Sequence, residues 1–206
     1  MPFSFSPIIK GVLEAAGEKK IMIAQGLGKK SFMDALSFLN VPTVSKKVIF
    51  QELPFLDQHE WDAMIKDCSI LFVRGEESLS RACLSGIPFV WQAYVQSENY
   101  HLVKMNALLS KIKPHFSQED FKIIEDLWKD FNYQYCVSSL NSEVDKTASK
   151  VSFSRDQEKK IYEHCTLFIK KSSSLAEGFR SFAISLRKNG DLCNNLMTFI
   201  NKNCII

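Results

Sequence analysis

The sequence predicts an α/β fold: a Rossmann-like parallel sheet with helices on both faces, followed by C-terminal helices. Three observations carry this reading. Short apolar runs of strand length alternate with helical patterns up to residue 98, the order that builds parallel sheets. The run Ile70-Leu71-Phe72-Val73 is continuously apolar, as strands buried on both faces are. It ends in a charged turn, Arg74-Gly75-Glu76-Glu77-Ser78, before a short helical pattern from Leu79 to Ser85, then Gly86, then a second buried run from Pro88 to Trp91.

Taken in order, residues 8–16 read as a helix, with Ile8, Ile9, Val12, Leu13 and Ala16 on one face and Gly17 as its stop. Lys20 to Ala24 reads as a strand running into the loop Gly26-Leu27-Gly28. That Gly-x-Gly is a turn first and a phosphate signal only weakly. A helix over 31–39 and a strand over 47–51 follow, then a loop at Leu53-Pro54-Phe55. Asp57 is placed to cap a helix running to Lys66, with Glu60 three residues on completing a capping box. Beyond residue 98 the pattern is helical: Leu102, Met105, Leu108, Leu109 and Ile112 recur at helical spacing, and Ser117 caps a helix through Phe121, Ile124, Leu127 and Trp128. The polar stretch 138–154 reads as a loop. Two helices, 155–171 and 173–188, lead to Asn189-Gly190-Asp191, and a last helix covers 191–201.

Composition narrows the function classes. At 206 residues with 46% hydrophobic content, the chain can bury one large core, read here as one domain over residues 1–206. The net charge of +3 is spread along the chain, without the clustered Lys and Arg of a nucleic-acid surface. No apolar run approaches the ~20 residues that cross a bilayer, and the N-terminus lacks a signal-peptide pattern, so the expected location is cytoplasmic, with no membrane or nucleic-acid partner. Six cysteines occur without a Cys-x-x-Cys pair and the four histidines are isolated, so reduced thiols and no metal site are expected.

The candidate site is the carboxyl edge of the sheet, where open α/β folds bind ligands. A helix start there offers free N–H groups and a positive dipole end, suited to phosphate. Arg74 presents a planar, permanently charged fork for a diphosphate. Glu76 and Glu77 repel anions; one could accept from sugar hydroxyls, or pair with Arg74 or Arg81. Ser78 can cap the helix or donate to phosphate. Phe55 could stack on a nucleobase and Gln58 read its edge, with Trp61 nearby; equally, Phe55 and Trp61 could plug the core. Gln92, Tyr94 and Gln96, at the next strand's end, line the same pocket or serve as loop residues, with Asn99 and His101 as weaker candidates.

These residues resemble a known family. Leu53-Pro-Phe-Leu-Asp-Gln58, Trp61-Asp62, Phe72-Val-Arg-Gly-Glu-Glu-Ser78, Arg81-Ala82, Gly86-Ile-Pro-Phe-Val-Trp-Gln92 and Tyr94-Val-Gln96 occur in the order and spacing of the EarP protein-arginine rhamnosyltransferases, and Gly190-Asp191-Leu192 fits that family's last helix. The resemblance implies the C-terminal, donor-binding half of a GT-B glycosyltransferase that uses dTDP-β-L-rhamnose to rhamnosylate an arginine of elongation factor P by an inverting route, without a metal or other cofactor. It implies that Phe55 and Gln58 contact thymine and ribose, and that Arg74, Glu76, Glu77 and Ser78 surround the diphosphate and sugar, with Arg74 and Glu76 supporting catalysis. Glu77 stands where the family has Asp, which keeps the charge and lengthens the reach. Leu79-Ser80-Arg81 replaces a Phe-Val-Arg pattern, and Val95 a proline. Phe3 and Phe5 correspond to family aromatics that help hold the base. Family members are nearly twice as long, so the N-terminal domain carrying the general base is expected to be missing here, and activity of this chain alone is open. A shortened chain, a split protein with its other half elsewhere and a degenerate remnant are the competing explanations; a non-catalytic fragment or partner subunit and an unrelated Rossmann-like nucleotide-binding protein are the alternative functions.

Overall fold

Two pairs of parallel strands organise the polypeptide. In the computed structural model, residues 5–45, 47–133 and 155–203 are described. The elements run α1 (Ser6–Glu14), β1 (Lys19–Ile23), α2 (Leu27–Phe38), β2 (Val48–Glu52), α3 (Gln58–Lys66), β3 (Leu71–Val73), α4 (Glu76–Ser85), β4 (Phe89–Trp91), α5 (Tyr100–Ile112), α6 (Gln118–Tyr133), α7 (Arg155–Arg187) and α8 (Leu192–Asn203), with short 3-10 turns before and after α5. The alternating order expected from sequence is therefore present. The expected loop at 138–154 lies outside the described residues.

The expectation of one continuous sheet is corrected. Among the described residues β1 pairs only with β2, from Lys19 opposite Val48 to Ile23 opposite Glu52, and β3 pairs only with β4, from Leu71 opposite Phe89 to Val73 opposite Trp91. Three-residue strands offer few ladder positions, and the outer edge of β4 is already occupied by side chains. Alternate residues of a strand present their backbone groups to opposite edges. Gln92 N–H bonds to Val73 on the β3 side. On the other side, Trp128 Nε1 donates to the Phe89 carbonyl at 3.2 Å. Asn132 donates to the Trp91 carbonyl at 2.8 Å and accepts from Ala93 N–H at 2.8 Å. Thus α6 closes the edge that another strand would otherwise pair.

The core continues from there. Phe89 packs against Trp128 and Phe179 with ring centroids 5.3 and 5.2 Å apart, and Trp128, Phe131, Phe168, Phe179 and Phe182 are all essentially inaccessible. Gly178 lets Phe116 approach Phe179, with ring centroids 5.1 Å apart: a Cβ at 178 would overlap the Phe116 ring. Gly86 ends α4 at φ +77°, the left-handed conformation that glycine adopts without penalty.

The C-terminal pair of helices expected at 155–171 and 173–188 is a single helix of 33 residues. The expected break falls at Ser172. Instead Ser172 and Ser174 donate back to the carbonyls of Ile169 and Lys171 at 2.9 and 2.8 Å, so the backbone continues. The apolar stripe stays in phase across them, from Ile161, Cys165, Phe168 and Ile169 to Leu175, Phe179 and Phe182, all buried. One face of α7 packs on α1, α4 and α6. In contrast α8 has no buried residue, and Leu192, Leu196, Met197 and Phe199 are exposed. Among the described residues no helix is long and apolar enough to cross a membrane.

Candidate functional site

The carboxyl ends of β1 and β2 and the starts of α3 and α4 enclose a cleft of about 370 Å³, a volume within the range of small-molecule sites. Its floor is tied down locally. Gln25, just past β1, donates to the Leu53 carbonyl at 2.6 Å, and Leu53 N–H bonds to Ile23. α3 begins with the expected capping box: Asp57 Oδ1 accepts from Glu60 N–H at 2.8 Å, and Glu60 accepts from Asp57 N–H at 2.9 Å. This box fixes Gln58 and Trp61 on the cleft wall.

Phe55 stands on the same wall and is 91% exposed. That excludes the core-plug reading for Phe55 and leaves a bare ring facing the cleft. Trp61 divides its surface: it is half-buried, packs against the core and also lines the cleft.

The opposite wall is the first turn of α4. Its N-cap is Gly75, which offers no side-chain oxygen, and Ser78 Oγ donates to the Gly75 carbonyl at 2.8 Å. Ser78 therefore does not cap the helix. The backbone N–H groups at the start of α4 are left without intrahelical acceptors, and the helix dipole adds positive potential there. The two carboxylates of this turn are neutralised by cations. Glu77 pairs with Arg81 at 3.1 Å, Arg81 also grips Asp62, and Glu76 pairs with Lys104 of α5 at 2.7 Å. The hydrogen bond from Lys104 and its charge hold the Glu76 carboxyl below the usual carboxylate range. Of the two bridges considered from sequence, the one to Arg81 forms; the partner of Glu76 lies 28 residues downstream.

The predicted site residues thus divide in two. Phe55, Gln58, Glu77 and Ser78 line the cleft, together with Trp61, Gln25 and Arg81. Arg74 and Glu76 open onto a neighbouring pocket of about 30 Å³ with Tyr94, Gln96, His101 and Lys104. The start of α4 separates the two openings. Arg74 is held by its backbone, whose carbonyl accepts from Trp91 Nε1 at 3.0 Å, and by its guanidinium, 5.0 Å from the centre of the Tyr94 ring. Gln92 is buried and its amide nitrogen donates to the Phe131 carbonyl, so it serves the core. Phe5 packs edge-on against Phe32 at 5.3 Å and does not line the cleft; Phe3 lies outside the described residues. Gln25 and Lys104 escaped the sequence reading, because nothing in their local pattern distinguishes them from surface residues. Among the described residues no group of three His, Cys, Asp or Glu side chains is arranged to hold a metal ion.

A family model described as the elongation factor P (EF-P) rhamnosyltransferase EarP matches residues 7–201. The chain belongs to the EarP family. A protein-arginine rhamnosyltransferase of Shewanella oneidensis is 26% identical over 150 residues, covering 73% of this chain and 32% of the relative. That of Pseudomonas putida is 35% identical over 85 residues, covering 41% of this chain and 22% of the relative. A solved structure described as the structural basis for EarP-mediated arginine glycosylation of translation elongation factor EF-P superposes with a TM-score of 0.70 at 16% identity. It covers 97% of this chain and 57% of the solved one, so the EarP fold is shared. The chain spans about a third of the Shewanella relative's length.

Proposed function

We propose that this chain is the donor-binding part of an inverting, GT-B-type protein-arginine rhamnosyltransferase, holding dTDP-β-L-rhamnose for transfer to an arginine of EF-P. The observation that carries the reading is the cleft in which a bare Phe55 ring and the Gln58 amide face the uncapped start of α4. A thymine stacked on Phe55 and read by Gln58 directs its diphosphate to the α4 N–H groups, with Arg74 beside them. Membership of the EarP family and the names of the relatives supply the sugar and the acceptor.

In the reaction an arginine nitrogen forms a bond to the anomeric carbon, from the face opposite the leaving group. The bond from that carbon to the diphosphate oxygen breaks, and dTDP leaves with the electron pair. A proton passes from the guanidinium to a base. The α4 dipole and Arg74 stabilise the charge gathering on the diphosphate. The cleft's own carboxylates are engaged: Asp57 by the α3 cap and Glu77 by Arg81. The base is accordingly assigned to a residue outside this cleft. No metal is required, because protein cations and helix N–H groups meet the diphosphate charge.

Isothermal titration with dTDP, using UDP and GDP as controls, tests this reading. Selective dTDP binding is expected; equal or no binding of dTDP would overturn it.

A further inference from the structure

The small pocket beside the cleft contains two buried hydrogen-bonding nitrogens with nothing to bond. His101, in the first turn of α5, is 1% exposed. Its Nδ1 accepts from the Gln96 backbone N–H at 3.4 Å, which places the neutral ring's proton on Nε2. That Nε2 is buried without a partner among the described residues, and so is Nε of Arg74. Both side chains line the same pocket. Buried polar groups in folded proteins are normally satisfied, so two orphans in one pocket require an explanation. Both are donors, and the missing group is therefore an acceptor.

The pocket's charge selects among acceptors. Arg74 and Lys104 bring two positive charges against the single carboxylate of Glu76, which Lys104 already engages. Its size selects further: about 30 Å³ admits only a small part of a ligand, with the rest outside. Glu76 is both part of this pocket and the first residue of α4, so the opening lies beside the proposed diphosphate position.

We infer that His101 is a binding residue of the donor site: its Nε2–H and the Nε–H of Arg74 together receive one oxygen of the nucleotide sugar's diphosphate. This rests on the donor-site reading above and adds to it a neutral donor buried under the phosphate. Such a donor orients the leaving group while contributing no charge that must be desolvated. The rival occupant is a single structural water, which the two donors would hold equally well.

The test follows the imidazole nitrogens of the ¹⁵N-labelled full chain in long-range ¹H–¹⁵N spectra, with inorganic pyrophosphate and dTDP added separately. A protonated Nε2 that shifts with both ligands is expected. His101→Phe should weaken both by about 10- to 100-fold, as loss of a hydrogen bond to a charged group does. Thymidine binding should stay unchanged, and His101→Gln, which keeps a donor, should recover part of the loss. If His101→Phe unfolds, the spectra of the parent chain and the Gln variant decide. A resonance unmoved by either ligand, or parental affinity in both variants, would assign the pocket to water and overturn the inference while leaving dTDP binding intact. Binding of pyrophosphate with a His101 shift, but no preference for dTDP, would uphold the phosphate contact and overturn the thymidine reading. Binding of neither would overturn both.

Discussion

The outer edge of β4 and the first turn of α4 pose the same problem with opposite solutions. Each is a place where backbone groups run out of regular partners. At β4, Trp128 and Asn132 of α6 supply side-chain bonds to Phe89, Trp91 and Ala93, and all of this is buried. At α4 the cap is a glycine, Ser78 turns to its own loop, and the wall opposite carries an exposed phenylalanine. A protein that can satisfy an awkward edge so completely, yet leaves a helix start open to a cleft, reserves that start for a ligand. The difference separates residues that hold the fold from residues that await something.

That contrast can be broken from either side. Trp128→Ala should have the largest effect, about 3–5 kcal/mol of lost stability, since it removes a fully buried indole and leaves the Phe89 carbonyl unpaired. Urea denaturation measures it. Arg74→Ala should leave the urea midpoint nearly unchanged, because the Trp91 bond goes to its backbone carbonyl. It should weaken dTDP by about 10- to 100-fold in titration calorimetry. Phe55→Ala should likewise keep stability within about 0.5 kcal/mol and reduce dTDP affinity by about tenfold, the lower range for one stacked base. If Phe55→Ala unfolds the protein instead, the two regions are not functionally distinct.

The smallest effect concerns Glu76. Its carboxyl lies below the ordinary range because Lys104 bonds to it. A lowered folded value means the pair's contribution is in place above the unfolded carboxylate pKa, about 4.3, and is lost as pH falls through the lowered value. Lys104→Met should return the Glu76 titration, followed by carboxyl NMR, to the ordinary range with little change in stability, since both groups are exposed.

What could be read from the sequence follows the reach of local interactions. The capping box at Asp57 and Glu60, the β1 and β3 strands and the strand–turn–helix around Gly75 are set by neighbours within a few residues, and all are present. The errors lie where distant contacts decide. The expected break at Ser172 gives way to one long helix whose apolar stripe packs on α1, α4 and α6, elements distant in sequence. A continuous sheet is the natural extension of alternating elements, whereas two separate pairs form, and α6 side chains take the outer edge of β4. The two openings on either side of the α4 start carry the pairs Glu76–Lys104 and Arg81–Asp62, whose members are far apart in sequence. His101 is only a weak candidate in the sequence; its burial and its unpaired nitrogen are what single it out.

The packing of α1 on α7 has a consequence for biosynthesis. Gly11 lies against Thr166 and Ile169, so the apolar face of the first helix is covered by a segment made some 150 residues later. At translation rates of roughly 5–20 residues per second, Ile8, Ile9 and Val12 wait on the order of ten seconds or more for their partner to emerge. Through that interval the apolar face of α1 stays without its α7 cover on an incomplete chain.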